Sequence, residues 1–110
     1  MKKKPKLTFD ALRSKNKARL GEIHNCSQWD YPEWIMATCG ELGELANILK
    51  KVKRGSKPWD KATKLEVQRE IADTLIYLDL LAEHLQVNLG EAVREKFNYV
   101  SKKYNSKVKL

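Results

Sequence analysis

Apolar residues recur along this chain at three- and four-residue steps, and nowhere alternate in the manner of strands, so the pattern predicts an all-α protein. Phe9, Leu12, Leu20 and Ile23 place a first helix over Thr8 to Asn25, capped by Thr8 or Asp10. Cys26 to Trp29 reads as a connection. Asp30-Tyr31-Pro32-Glu33 then forms a capping-box pattern, with an acceptor side chain first, proline in the opening turn and a carboxylate three residues on. It starts a second helix over Tyr31 to Lys53, carrying Trp34, Ile35, Ala37, Leu42, Leu45, Ile48, Leu49 and Val52, and Gly55 ends it.

After the loop Gly55 to Trp59, Asp60 caps a third helix that extends to about Gln86, with a break expected near its start. Its centre is apolar on two sides. Ile71, Leu75, Leu78, Ala82 and Leu85 form one stripe, expected to be core, and Ile76 and Leu80 lie away from it. Such a helix needs two partners, which suggests a subunit interface, although a well-wrapped bundle would also satisfy it. Asn88 and Glu91 form a further capping box for a fourth amphipathic helix carrying Leu89, Ala92, Val93, Phe97, Val100 and Tyr104. The expected architecture is a four-to-five-helix bundle that oligomerises.

With 110 residues and 42% hydrophobic content, the chain makes one domain with a modest core. The reading assigns 1–6 to a basic tail, 7–104 to the helical domain and 105–110 to a second basic tail. No apolar run approaches the roughly 18 residues of a membrane span, and the N-terminal lysines are not followed by a signal-peptide core, so a cytoplasmic location is expected. Cys26 and Cys39 are expected to be reduced thiols. The net charge of +8 invites a nucleic-acid reading, but much of the excess sits at the ends, in Lys2, Lys3, Lys4, Lys6, Lys102, Lys103, Lys107 and Lys109, where it reads as solvated tails.

The chemistry lies in two acid pairs. Glu41 and Glu44 stand three residues apart in Gly40-Glu41-Leu42-Gly43-Glu44-Leu45, and Glu70 and Asp73 have the same spacing in a second apolar run. Each pair shares one helical face, at a cost of roughly 0.2–0.5 kcal/mol per like-charge pair, and four converging carboxylates would cost on the order of several kcal/mol if partly buried. A hard divalent cation would remove that cost. Seven residues after Glu44, Lys51 returns to the same face, placed to reach phosphates held at the acids. Glu66, Glu70, Asp73, Tyr77 and His84 fall along one side of the third helix; Tyr77 is evenly balanced between core aromatic and ligand contact, and His84 reads as an edge residue. Neither a phosphate-binding glycine loop nor a nucleophile motif is present.

Glu41xxGlu44 and Glu70xxAsp73, with 25 residues between them, resemble the ExxE…ExxD signature of the MazG-like all-α nucleoside triphosphate pyrophosphatases, a group related to dimeric dUTPases and dCTP pyrophosphatases. The resemblance spans roughly Trp34 to Lys103 and includes the basic run Lys50 to Gly55, Asp73 to Leu78 and Leu89 to Asn98. It implies cleavage of a (d)NTP between the α and β phosphates to a monophosphate and pyrophosphate, with Mg²⁺, or Mn²⁺ in its place, held by Glu41, Glu44, Glu70 and Asp73. By the same analogy Glu41 is the catalytic base, and the partners are the triphosphate and further copies of the chain, as a homodimer or dimer of dimers. Lys51 and Arg54 become candidates for phosphate neutralisation, Lys96 and Asn98 for substrate contact, Tyr77 for facing the nucleoside and Trp29, before Trp34, for stacking on a base. The competing reading is a basic helical module that binds nucleic acid or protein on the same scaffold without catalysis. Salt-sensitive binding through the tails would distinguish it.

Overall fold

The structure, a computed structural model, describes residues 2–23, 26 and 28–110, and among them every regular element is a helix: α1 (Phe9–Leu20), α2 (Tyr31–Lys53), α3 (Lys61–His84) and α4 (Leu89–Lys103). Each start is fixed by a side chain that satisfies orphan N–H groups. Thr8 Oγ1 accepts from Ala11 N at 3.0 Å, Asp60 Oδ1 from Thr63 N at 2.9 Å, and Asn88 Oδ1 from Glu91 N at 2.9 Å. At α2 the box closes in both directions, with the Asp30 side chain bonded to the first turn and Asp30 N donating to Glu33 Oε2 at 3.2 Å. At α4 only the Asn88 half of the expected box forms among the described residues.

Three helices end the same way. Gly55 (φ 83°), Gln86 (φ 58°) and Asn105 (φ 56°) take left-handed conformations, and the next amide in each case bonds back to the carbonyl five residues earlier: Ser56 N to Lys51 O at 3.0 Å, Val87 N to Ala82 O at 2.8 Å and Ser106 N to Ser101 O at 2.8 Å. Glycine adopts this geometry freely; Gln86 and Asn105 hold it under the grip of those bonds.

Two boundaries differ from the sequence reading. The first helix stops at Leu20 rather than continuing toward Asn25, because Gly21 closes it with an N–H bond to Arg19 O and the chain turns through Ile23 N to Leu20 O; Asn25 itself lies outside the described residues. The third helix is unbroken from Lys61, since nothing after Pro58 interrupts its backbone bonding.

α2 and α3 form an antiparallel hairpin: Trp34, in the first turn of α2, stands 6.2 Å from Tyr77 late in α3, and Glu41 meets Glu70 midway. α1 runs antiparallel to α3, joined by polar ties. Arg13 Nε donates to Asp79 Oδ1 at 3.0 Å, its NH1 to Glu83 Oε2 at 3.2 Å and its NH2 to Val87 O at 2.8 Å, while Asn16 Nδ2 donates to Asp79 Oδ2 at 2.9 Å. Asp79 is wholly buried, and these bonds compensate its charge.

The expected core stripe of α3 is largely inverted. Ile71, Leu75, Leu78 and Leu85 are exposed, and only Ala82 of that set is buried; Val67 and Leu80, with Trp34 from α2, complete the buried apolar core among the described residues. The side of α3 carrying Asp79 receives α1, and the other apolar side is left open. α4 meets the start of α1, where Gly90 lies beside Phe9, and the rest of its apolar face borders an open groove of about 640 Å³ lined by Val93, Phe97, Val100 and Tyr104. The radius of gyration is 17.0 Å, against about 13 Å for a compact chain of this length. No helix among the described residues is long and apolar enough to cross a membrane.

Candidate metal and nucleotide site

Glu41 and Glu44 project from one face of α2 and Glu70 from the facing side of α3. The hairpin brings one oxygen of each to within 4.8 Å of the others, a separation one cation could bridge. Thr74 Oγ1 bonds Glu70 O at 2.7 Å and Thr38 Oγ1 bonds Trp34 O at 2.8 Å, so neither hydroxyl occupies the carboxylates. Asp73, one turn beyond Glu70, is close enough for its charge to act on Glu41, but it is exposed and stands outside the tight group of three.

The electrostatics are those of like charges held together. Glu41 is pushed up to about 7, first because it shares a hydrogen bond with Glu70, then by desolvation and by the charges of Glu70, Glu44 and Asp73. Glu70 Oε2 is sealed from solvent with no hydrogen-bond partner. Such an orphan carboxylate oxygen costs stability unless a cation meets it. An all-oxygen donor set with one unpaired buried oxygen therefore fits a hard divalent ion.

Beside the acids a recessed cavity of about 220 Å³ is bordered by Glu41 and Asp73, by Trp34, Tyr77 and Leu80, and by Asn16 and Arg19 from α1. It is smaller than the roughly 300–1,000 Å³ of sites that enclose a whole drug-sized ligand, so it suits a ring-sized part whose remainder extends over the carboxylates. Burial and the nearby Glu41 charge push the Tyr77 hydroxyl above its usual range, which keeps it a neutral hydrogen-bonding group.

The other expected site residues lie apart from this centre. Trp29 packs edge-on against Trp34 at 4.7 Å and lines the neighbouring cavity with Leu80, Glu83 and His84. His84 is an edge residue, with Nε2 2.7 Å from Asp30 Oδ1. Lys51 is exposed on the last turn of α2, about 10 Å along the axis from Glu44, and Arg54 is turned onto Ser56 Oγ at 2.9 Å. Lys96 borders the α4 groove with its ammonium 5.0 Å from the Tyr99 ring, and Asn98 holds the backbone of Leu110 through two bonds of 2.9 and 3.2 Å. Glu66 pairs with Lys57 at 3.5 Å.

Arg19 and Asn16 are the cavity residues that periodicity passed over. Both sit among the polar positions of a helix with little amphipathic contrast, and the one available signal was a polar pair, Asn16 and Asp79, each set next to apolar positions on its own helix.

The chain is 33% identical over 73 residues to dCTP pyrophosphatase 1 of Mus musculus, and equally so to the proteins of that name from Bos taurus and Homo sapiens. The match covers 64% of this chain and 43% of each relative, so it spans less than half the length of these proteins. No family model matches the chain. The similarity is to dCTP pyrophosphatase 1 over part of its length, and the acid cluster and adjoining cavity are the features on which a function can be argued.

Proposed function

We propose that this protein is a cytoplasmic Mg²⁺-dependent nucleoside triphosphate pyrophosphohydrolase of the MazG-like type, working as a homo-oligomer to clear or adjust nucleotide pools. The observation that carries this reading is the three-carboxylate cluster of Glu41, Glu44 and Glu70, with its orphan buried oxygen, at the mouth of an aromatic-lined cavity. Similarity to dCTP pyrophosphatase 1 supports the same reaction class.

Glu41, Glu44 and Glu70 would hold the ion, with Asp73 joining them. When bound, Mg²⁺ supplies charge neutralisation for the phosphoryl oxygens and acidifies the attacking water. Trp34 and Tyr77 offer apolar walls for the base, and Arg19 is the cation nearest the cavity. Lys51, Arg54, Lys96 and Asn98 lie outside the cluster in one chain, so contact with the phosphates requires their approach on substrate binding or assembly. Glu41 is the group assigned to take the proton, by analogy with the signature that its acid pair resembles. The water oxygen bonds to phosphorus, its proton passes to Glu41, the α–β anhydride bond breaks, and monophosphate and pyrophosphate leave.

The test is incubation of the protein with a panel of canonical and modified (d)NTPs, in Mg²⁺ and in chelator. Metal-dependent release of monophosphate with pyrophosphate is expected. Release of orthophosphate alone, or no release from any triphosphate, would overturn the reading.

A further inference from the structure

The tails do not hold all of the net charge of +8. Residues 50–64, the tip of the α2–α3 hairpin, carry seven cations and one acid: Lys50, Lys51, Lys53 and Arg54 close α2, Lys57 lies in the loop, and Lys61 and Lys64 open α3. Asp60, the one acid, is committed to its cap at Thr63 N, and Glu66 pairs with Lys57 at 3.5 Å. The other six cations are exposed and have no ion-pair partner among the described residues. Lys61 and Lys64 also stand where α3 begins, in an opening turn without an acid, so they work against the helix dipole. The tip is a built surface rather than a loose loop. Gly55 (φ 83°) sets its turn, Ser56 N and Oγ both donate to Lys51 O, at 3.0 and 3.3 Å, and Arg54 Nε donates to Ser56 Oγ at 2.9 Å. On it, between Pro58 and the capping Asp60, Trp59 is 54% exposed and has no aromatic or cation partner among the described residues.

We propose that this tip binds single-stranded nucleic acid, its cations taking the phosphates and the Trp59 ring stacking on an unpaired base. Six unpaired cations at one end of a hairpin repel one another and attract a polyanion strongly. Trp59 decides which kind. An exposed indole among cations is the pairing that single-strand sites use, a ring for the base and charge for the backbone. A duplex hides the faces of its bases, and the tip presents a turn rather than a helix flank to a groove. A lipid surface is the poorer fit: Trp59 is the one exposed large apolar side chain between Leu49 and Leu65 among the described residues, and a single ring gives little area to bury in a bilayer. Lys61 stands roughly 13 Å along α3 from Glu70, so this surface is distinct from the carboxylate cluster and does not depend on hydrolysis there.

The test is a fluorescence-anisotropy titration of a fluorescein-labelled oligothymidylate of about 12 nucleotides, within the span of single-strand sites, with the full chain. Binding is expected at low salt, with log K falling linearly against log salt at a slope of about −0.7 per phosphate contacted. Trp59→Ala should lower the affinity at least about fivefold, and Trp59→Phe, which keeps a ring, should retain most of it. Lys61→Gln combined with Lys64→Gln should weaken binding and flatten the salt slope by about one unit per lysine lost. No binding at low salt overturns the proposal. Binding unaltered in Trp59→Ala, or in the double-lysine variant, also overturns it, since the lysines of the tails would then carry the contact. A third overturning result is Trp59-dependent binding to phosphatidylserine vesicles without binding to the oligonucleotide. All the substituted positions are exposed, so each variant should keep its helical circular dichroism; if the double-lysine variant does not, the two Trp59 variants decide.

Discussion

Glu41 has the most telling chemistry in the chain. Its carboxyl is pushed up to about 7 by sharing a hydrogen bond with Glu70 and by the surrounding acids. An unfolded chain would release that proton in the ordinary carboxylate range, so between that range and about pH 7 the folded state binds more protons, and stability falls as pH rises. In chelator the melting temperature should therefore decline from pH 5 to pH 8. Glu41→Gln should flatten the decline, and millimolar Mg²⁺ should reverse it by replacing the proton with a cation. A melting temperature independent of pH and of Mg²⁺ would contradict the cluster. Glu41→Gln and Asp73→Asn should also reduce triphosphate turnover by at least about 10²-fold with helicity unchanged, as expected when a proton acceptor or charge-stabilising group is lost. An active Asp73→Asn enzyme would remove Asp73 from the ligand set.

At the scale of elements, α1 is held to α3 by charge more than by apolar burial. Asp79→Ala leaves Arg13 half-buried with one of its acceptors gone and should cost about 3–5 kcal/mol in urea unfolding. A loss under about 1 kcal/mol would mean that Glu83 and the Val87 carbonyl hold Arg13 unaided. The hairpin start gives a smaller effect: Asp30→Ala removes an N-cap and the acceptor for His84, at about 1 kcal/mol. Much of this scale was open to pattern reading. The bounds of α2 and the caps Asp30, Asp60 and Asn88 follow from short-range spacing, which left Thr8 and Asp10 both open for α1 until the structure placed the cap at Thr8. The end of α1 was missed because Ile23 continues an apolar rhythm that the backbone abandons at Gly21.

For the whole molecule, one fact dominates: the buried apolar set comprises Trp34, Val67, Leu80 and Ala82 among the described residues, while Ile71, Leu75, Leu78, Val93 and Phe97 stay exposed. So much apolar surface, together with a radius of gyration of 17.0 Å, leaves α3 and α4 short of a partner. We expect self-association, seen by sedimentation as a species larger than 12.8 kDa with a melting temperature that rises with concentration. Phe97→Asp should shift the species toward monomer. A concentration-independent monomer would show that α4 covers its own groove in solution. Deleting residues 2–6 and 105–110 should leave hydrolysis intact, whereas a nucleic-acid module would lose its binding.

Helix type, helix starts and the two acid pairs were determined by the sequence itself, because capping chemistry and helical periodicity act over a few residues. The spacing of Glu41 with Glu44 and of Glu70 with Asp73 already implied a shared face on each helix. Which faces meet is a matter of tertiary structure. Burial of Asp79 turned α3 around, so the stripe expected to be core points outward and Leu80 points in. The same choice set Arg19 and Asn16 beside Trp34 and Tyr77 and left Asp73 at the edge of the carboxylate group. Those placements depend on polar pairing across more than sixty residues of chain, a hydrogen bond between Asn16 and Asp79 and an ion pair between Arg13 and Asp79, which no local pattern encodes.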